Sequence, residues 1–218
     1  MKKLIIFDLD GTLLDTIEDI RYTLNAVLEK YNIKTLNREE LIKKVGFGAK
    51  RLVELAVPED KMDKFDLIYS DYATALLNCT NERTVLYDGL DEVLKLLKKD
   101  GYRLAVVSNK PDDAVNVVCE QKLGTYGFEF FMGNNAKLFK PKPDKSCVEY
   151  CLNKLGVSKK DAVYVGDSEV DVKTYLAAQL DGIGVLWGFR TKETLVEAGC
   201  ECLASTPQEL YEKIKSFN

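Results

Sequence analysis

Asp8 and Asp10 stand two residues apart at the end of a short apolar run, Leu4-Ile5-Ile6-Phe7, and Gly11-Thr12 follows them. Carboxylates so placed can serve as nucleophile, metal ligand or proton shuttle. Taken by themselves, they also fit a solvated strand end with a turn glycine. Three later stretches add to them. Ser108-Asn109 follows the apolar stretch 103–107, Lys140-Pro141-Lys142-Pro143 lies in a polar loop, and Asp167 and Asp171 follow Ala162–Val165. Together they supply acidic oxygens, a hydroxyl, an amide and a cation, the groups that phosphoryl transfer to a carboxylate requires. A phosphate monoester is dianionic and repels such a nucleophile. Mg2+ on oxygen ligands removes the repulsion, while a lysine and hydrogen-bond donors spread the charge of the phosphoryl group in transfer. With an unperturbed pKa of about 3.9, Asp8 is expected to be ionised at neutral pH without help.

Composition excludes other chemistries. The 218 residues include no histidine, which removes His acid–base catalysis and His metal ligation. Cys79, Cys119, Cys147, Cys151, Cys200 and Cys202 form no Cys-x-x-Cys pair, so they read as reduced core thiols and not as a zinc site. A formal net charge of −4 argues against nucleic acid or an anionic membrane as partner. No apolar run approaches the roughly 18 residues of a membrane span, and the start lacks a signal-peptide pattern. The expectation is a soluble, cytoplasmic protein, a monomer or small homo-oligomer, acting on a small phosphorylated metabolite.

The elements that must position these groups alternate. Strands are expected at 4–9, 103–107, 128–132, 162–165, 182–186 and 202–204, with helices between them from residue 88 onward. That alternation predicts an α/β fold with a parallel, Rossmann-like sheet, and in such sheets chemistry collects beyond the carboxyl ends of the strands. Residues 16–82 read differently. Apolar stripes such as Ile17, Ile20, Leu24, Val27 and Leu28, with a Thr16 cap and an Asn37/Glu40 capping box, make this segment wholly helical. The expected organisation is a core of 1–15 and 83–218 carrying a helical cap of 16–82.

Asp8-Leu-Asp10-Gly11-Thr12, Val107-Ser108-Asn109, Lys140-Pro-Lys-Pro143 and Gly166-Asp167-Ser-x-x-Asp171 resemble, in order, the four motifs of the haloacid dehalogenase superfamily. Ser108-Asn-Lys-Pro111 and Trp187-Gly-Phe-Arg190 resemble its phosphoglycolate phosphatase-like branch. The resemblance implies a core strand order of 3-2-1-4-5. It also implies an Mg2+-dependent phosphatase in which Asp8 becomes an aspartyl phosphate and Asp10 is the acid and base. Ser108 and Asn109 hold phosphoryl oxygens, with Gly11 and Thr12 on the substrate side. Lys140 offsets negative charge, Asp8, Asp10 (through its backbone carbonyl) and Asp167 hold the metal, and Asp171 supports them from behind. Lys142 also precedes a proline, but the Lys-Pro-x-Pro register selects Lys140.

Gly46-Phe47-Gly48 is the glycine-punctuated break in the helical segment, and Lys50 and Arg51 follow it. The loop is expected to close over the site, with Arg51 or Lys50 meeting a second anionic group of the substrate; both also read as solvated charges. A sugar phosphomutase, a pyrophosphatase or nucleotidase, and a non-catalytic module phosphorylated on Asp8 are the competing readings.

Overall fold

The computed structural model describes residues 2–217. Its centre is a six-stranded parallel sheet of β1 (Leu4–Phe7), β4 (Arg103–Pro111), β5 (Phe130–Asn134), β6 (Ala162–Gly166), β7 (Asp181–Val185) and β8 (Leu203–Ala204). The order is β5-β4-β1-β6-β7-β8, so the last of the six expected strands, which the implied order 3-2-1-4-5 left out, continues the sheet past β7. β1 is buried along its whole length and pairs on both sides, with β4 and β6.

Side chains alternate across a strand, and β1 divides its residues accordingly. Ile5 and Phe7 pack with α5 (Leu90–Lys99), α6 (Asp112–Leu123) and α10 (Pro207–Ser216). Leu4 and Ile6 pack on the other face with α7 (Ser146–Leu155) and α8 (Glu169–Ala178). α9 (Lys192–Glu197) is short and contributes Leu195 to that second cluster.

A third apolar cluster is drawn from α1 (Ile17–Lys30), α2 (Arg38–Ile42), α3 (Ala49–Ala56) and α4 (Phe65–Leu77). The expected stripe of α1 is buried there, against Leu52 and Val53 of α3 and Ile68, Tyr72 and Leu76 of α4. Ala114 of α6 joins this cluster and Phe189 packs against it, so core residues form part of the cap's underside.

Three local differences from the sequence reading bear on function. β4 runs on to Pro111, past the residue 107 expected as its end, and carries Ser108, Asn109 and Lys110 beyond the end of β1. The two crossings between core and cap, which lie outside the expected strands, pair as an antiparallel ribbon of β2 (Leu14–Asp15) and β3 (Val85–Leu86). Asp19 ties the second crossing to α1, accepting from the Arg83 N–H at 3.0 Å and the Thr84 hydroxyl at 2.7 Å. Thr16 makes no side-chain cap bond, whereas the Asn37/Glu40 capping box forms as expected. Among the described residues, no helix is long and apolar enough to cross a membrane.

Candidate active site

Asp8 is the first residue beyond β1, and its N–H donates to Val165 O at 2.9 Å, so the sheet itself fixes where its side chain starts. The chain then turns at Gly11, where φ is +89°. A β-carbon there would lie 2.4 Å from an Asp167 oxygen, and one on Gly188 would lie 2.3 Å from Asp167 Cβ. Only glycine allows both strand ends to approach the acid this closely. Asp167 itself follows β6 directly. Ser168 and Asp171 form a capping box on α8, which pins Asp171 one turn further on.

The lysine that reaches this cluster is Lys142. Its ammonium donates to Asp8 Oδ1 at 2.8 Å, Asp171 Oδ1 at 2.7 Å and the Tyr164 hydroxyl at 3.0 Å, which uses all three of its donors. Lys140, chosen by register, is exposed, and its backbone N–H donates to the Ser146 hydroxyl at the start of α7 at 3.0 Å. The reason for the shift is Asn109. Its Oδ1 accepts the Lys142 N–H at 2.8 Å, and its Nδ2 donates to Lys142 O at 3.0 Å. An amide that brackets both backbone groups of one residue sets the register of the whole loop. The Asn109 side-chain amide is therefore committed to the lysine loop.

The electrostatics are those of crowded acids. Burial, then the Asp171 carboxylate, pushes Asp8 well above the usual carboxylate range, with Lys142 pulling the other way. Burial and Asp171 likewise push Asp167 up to about 7, against the Phe189 N–H and the Thr12 hydroxyl, which both donate to it. Burial would depress the Lys142 ammonium, but Asp171, Asp8 and the Tyr164 hydroxyl more than offset it and hold it well above the ordinary lysine value. The Thr12 hydroxyl thereby supports Asp167, and Gly11 allows the close packing against it.

Asp8, Asp167 and Asp171 each offer an oxygen, all within 4.8 Å of one another. Asp171 is already engaged: Oδ1 accepts from Lys142 and Oδ2 from Ser168 N–H and Oγ. Three carboxylates face one ammonium, and the donors are hard oxygens with no nitrogen or sulfur among them. That set fits a hard divalent cation such as Mg2+, held by Asp8 and Asp167. The six thiols are free, and none joins a metal-ligating group among the described residues. Burial pushes Cys147 up to about 11 and Cys151 up to about 12.

Asp10 lies beside this cluster in another setting. Its Oδ1 accepts from the Thr16 hydroxyl at 2.6 Å and from the Lys110 ammonium at 2.9 Å. Lys110 was not singled out in the sequence; the extension of β4 brings it here. Ser108 is buried and accepts the Lys110 N–H on its Oγ at 3.2 Å. Asp8, Asp10, Ser108, Asn109 and Lys110 form the floor of a cavity, and Ile20, Val45, Leu52, Tyr72 and Leu76 line the cap side. About 40 Å³ of it is open to the centre of a water molecule, room for a few waters.

The Gly46–Gly48 loop does close over the floor, but without its expected cations. Arg51 is exposed and pairs with Glu54 at 3.0 Å, and the Lys50 ammonium lies 5.9 Å from the Phe65 ring. Neither lines the cavity. The loop is held instead from the core. Arg190 donates to Ile42 O at 2.8 Å and Val45 O at 2.7 Å, while Glu169 fixes its Nε at 2.9 Å. The Asn109 amide adds a bond to Gly46 O at 3.1 Å. The Trp187 indole donates to Thr12 O at 3.0 Å, a packing role at the domain edge.

Comparison with known proteins agrees with this geometry. A family model described as haloacid dehalogenase-like hydrolase matches residues 5–185. The chain is 30% identical over 221 residues to a phosphoglycolate phosphatase of Colwellia psychrerythraea, covering 98% of this chain and 97% of that one. It is 31% identical over 203 residues to a phosphoglycolate phosphatase of Pseudomonas fluorescens, covering 90% and 74%. A solved structure from Lactobacillus delbrueckii superposes with a TM-score of 0.86 at 30% identity, covering 98% of this chain and 99% of that one.

Proposed function

The chain belongs to the haloacid dehalogenase-like hydrolases, and we propose that it is a phosphatase of phosphoglycolate or a comparably small phosphomonoester, working through a phosphorylated Asp8. The observation that carries this reading is the placement of Asp8 against Lys142, next to Asp10, on the floor of a cavity under the cap. In the first half-reaction an Asp8 oxygen attacks phosphorus. The bond from phosphorus to the ester oxygen breaks, and Asp10 gives that oxygen a proton. In the second half, Asp10 takes a proton from a water that attacks the aspartyl phosphate, which releases inorganic phosphate and restores Asp8.

Lys142 balances charge on Asp8 and on the phosphoryl group throughout, and the Ser108 hydroxyl retains its own proton to donate to a phosphoryl oxygen. Asp171 and Tyr164 hold the lysine; Thr12 and the Phe189 N–H orient Asp167. Mg2+, bound by Asp8, Asp167 and the Asp10 carbonyl, would neutralise the phosphate and lower the barrier to attack by an anion. Residues 16–82 act as the cap that excludes bulk water from this exchange, and a cap wall with Tyr72 as its one polar side chain gives little to pair the several hydroxyls of a sugar phosphate.

Phosphate release from phosphoglycolate, with added Mg2+ and after EDTA treatment, tests the reading. Turnover is expected to require the cation. Asp8→Asn should lower it at least about a thousandfold, roughly 4 kcal/mol of transition-state stabilisation, with an unchanged circular dichroism spectrum. Full turnover by the EDTA-treated protein, or by Asp8→Asn, would refute it.

A further inference from the structure

Lys110 is a buried cation whose full purpose the mechanism above does not use. Its side chain is 6% exposed, it lines the cavity, and among the described residues Asp10 is the one partner of its ammonium. An ammonium carries three donors, and buried polar groups find their partners in protein or ordered water. Two donors without a partner, at the edge of a cavity, are suited to an anion that enters it. No other cation lines that cavity among the described residues; Lys142 stands behind Asp8 and has spent its three donors on Asp8, Asp171 and Tyr164.

We propose that Lys110 is the specificity-determining residue that recognises a carboxylate on the substrate, and that the substrate class is the short 2-phosphooxy carboxylates, of which phosphoglycolate is the smallest. The inference rests on the phosphatase reading and deepens it. Asp10 must lie within hydrogen-bonding distance of the ester oxygen to protonate it. Lys110 stands one hydrogen bond beyond, 2.9 Å from Asp10 Oδ1. A carboxylate on the carbon next to the ester oxygen therefore reaches the ammonium, whereas one placed several carbons away would have to enter the cap wall. That wall offers Ile20, Val45, Leu52 and Leu76, with the Tyr72 hydroxyl the one polar side-chain group among them. Apolar groups there accept a hydrogen or a small alkyl group on the same carbon and leave most further hydroxyls or charges unpaired, at a cost in binding.

The test compares phosphoglycolate with ethyl phosphate, in which a methyl group replaces the carboxylate. The wild-type enzyme is expected to favour phosphoglycolate. Lys110→Met should lower kcat/KM for both esters, because Lys110 also touches Asp10. The loss for phosphoglycolate should exceed that for ethyl phosphate by about tenfold to a hundredfold, the range for a hydrogen bond to a charged group, and should fall mainly on KM. Lys110→Arg should restore part of the preference. Equal losses on the two esters, or a wild-type enzyme that hydrolyses both equally well, would overturn the inference and leave the phosphatase reading standing. The wild-type comparison needs no variant to fold. Hydrolysis of neither ester would remove the phosphatase reading and this inference with it.

Discussion

The sheet edge and the cap wall that faces it are built from opposite materials. On the edge, charged side chains hold one another: Lys142 meets Asp8, Asp171 and Tyr164, and Asp167 is gripped by Thr12 and the Phe189 N–H. Each group there fails if its partner is lost, because a buried charge left unpaired is costly. On the cap side, apolar side chains face the cavity and the polar ties run through the main chain. Arg190 and Asn109 hold the carbonyls of Ile42, Val45 and Gly46. A latch that holds carbonyl groups is indifferent to the side chains that accompany them. The cap loop can therefore change its sequence to suit a substrate without losing its means of closing, whereas the edge cannot change a residue without changing the chemistry.

The largest effect expected from this contrast separates two neighbouring lysines. Lys142→Ala strands Asp8 and Asp171 and should cost roughly 3–5 kcal/mol of stability, the usual penalty for breaking a buried pair, together with nearly all turnover. Lys140→Ala should leave both within about twofold, as for exposed charges elsewhere. Denaturant titration and steady-state kinetics on the two variants measure this directly. Comparable damage from both would show that the loop register has been misplaced.

A smaller loss is expected at the latch. Arg190→Ala removes charge-assisted bonds to two cap carbonyls, which can then turn to water only if the loop lifts. Closure should weaken by about tenfold to a hundredfold, the worth of a hydrogen bond to a charged group. KM should rise more than kcat falls, and backbone amides of 42–48 should exchange hydrogen faster while the sheet stays protected. Uniformly faster exchange through the sheet would mean that Arg190 supports the fold and not the closure. The smallest effect is a null one. Arg51→Ala should leave kcat/KM for phosphoglycolate within about twofold, since an exposed i,i+3 pair contributes little. A tenfold loss would return to Arg51 the anion-binding role that Lys110 now holds.

Much of the edge was legible from the sequence because strand ends are. An apolar run that stops at Asp8, and another that stops before Asp167, place both acids by topology alone. The element order, the helical insertion and the Asn37/Glu40 capping box follow from patterns that depend only on near neighbours. What could not be read depended on contacts between distant segments. Lys140 and Lys142 sit in nearly the same local sequence, and the choice between them is made by an amide on β4, 33 positions from Lys142. Thr16 has the composition of a helix cap, yet its hydroxyl is drawn to Asp10. The importance of Lys110 depends on β4 continuing three residues past its apolar stretch, with a register shift between Val107 and Pro111. Arg51, conspicuous after two glycines, found a partner one turn along its own helix instead.

The paired crossings at Leu14–Asp15 and Val85–Leu86 have a consequence for how such an enzyme can be rebuilt. The insertion leaves and re-enters the core through neighbouring positions about 5 Å apart, so in topological terms it is a branch on the first β-to-α connection. A short turn in its place would let every strand keep its neighbours. The remaining debt would lie at Ala114 and Phe189, whose apolar surfaces pack with the cap. A different module that covers those two residues and offers carbonyls to Arg190 and Asn109 could be grafted on the same stem, which would make the cap wall's share of substrate choice transplantable while Lys110 and the hydrolytic groups stay with the sheet.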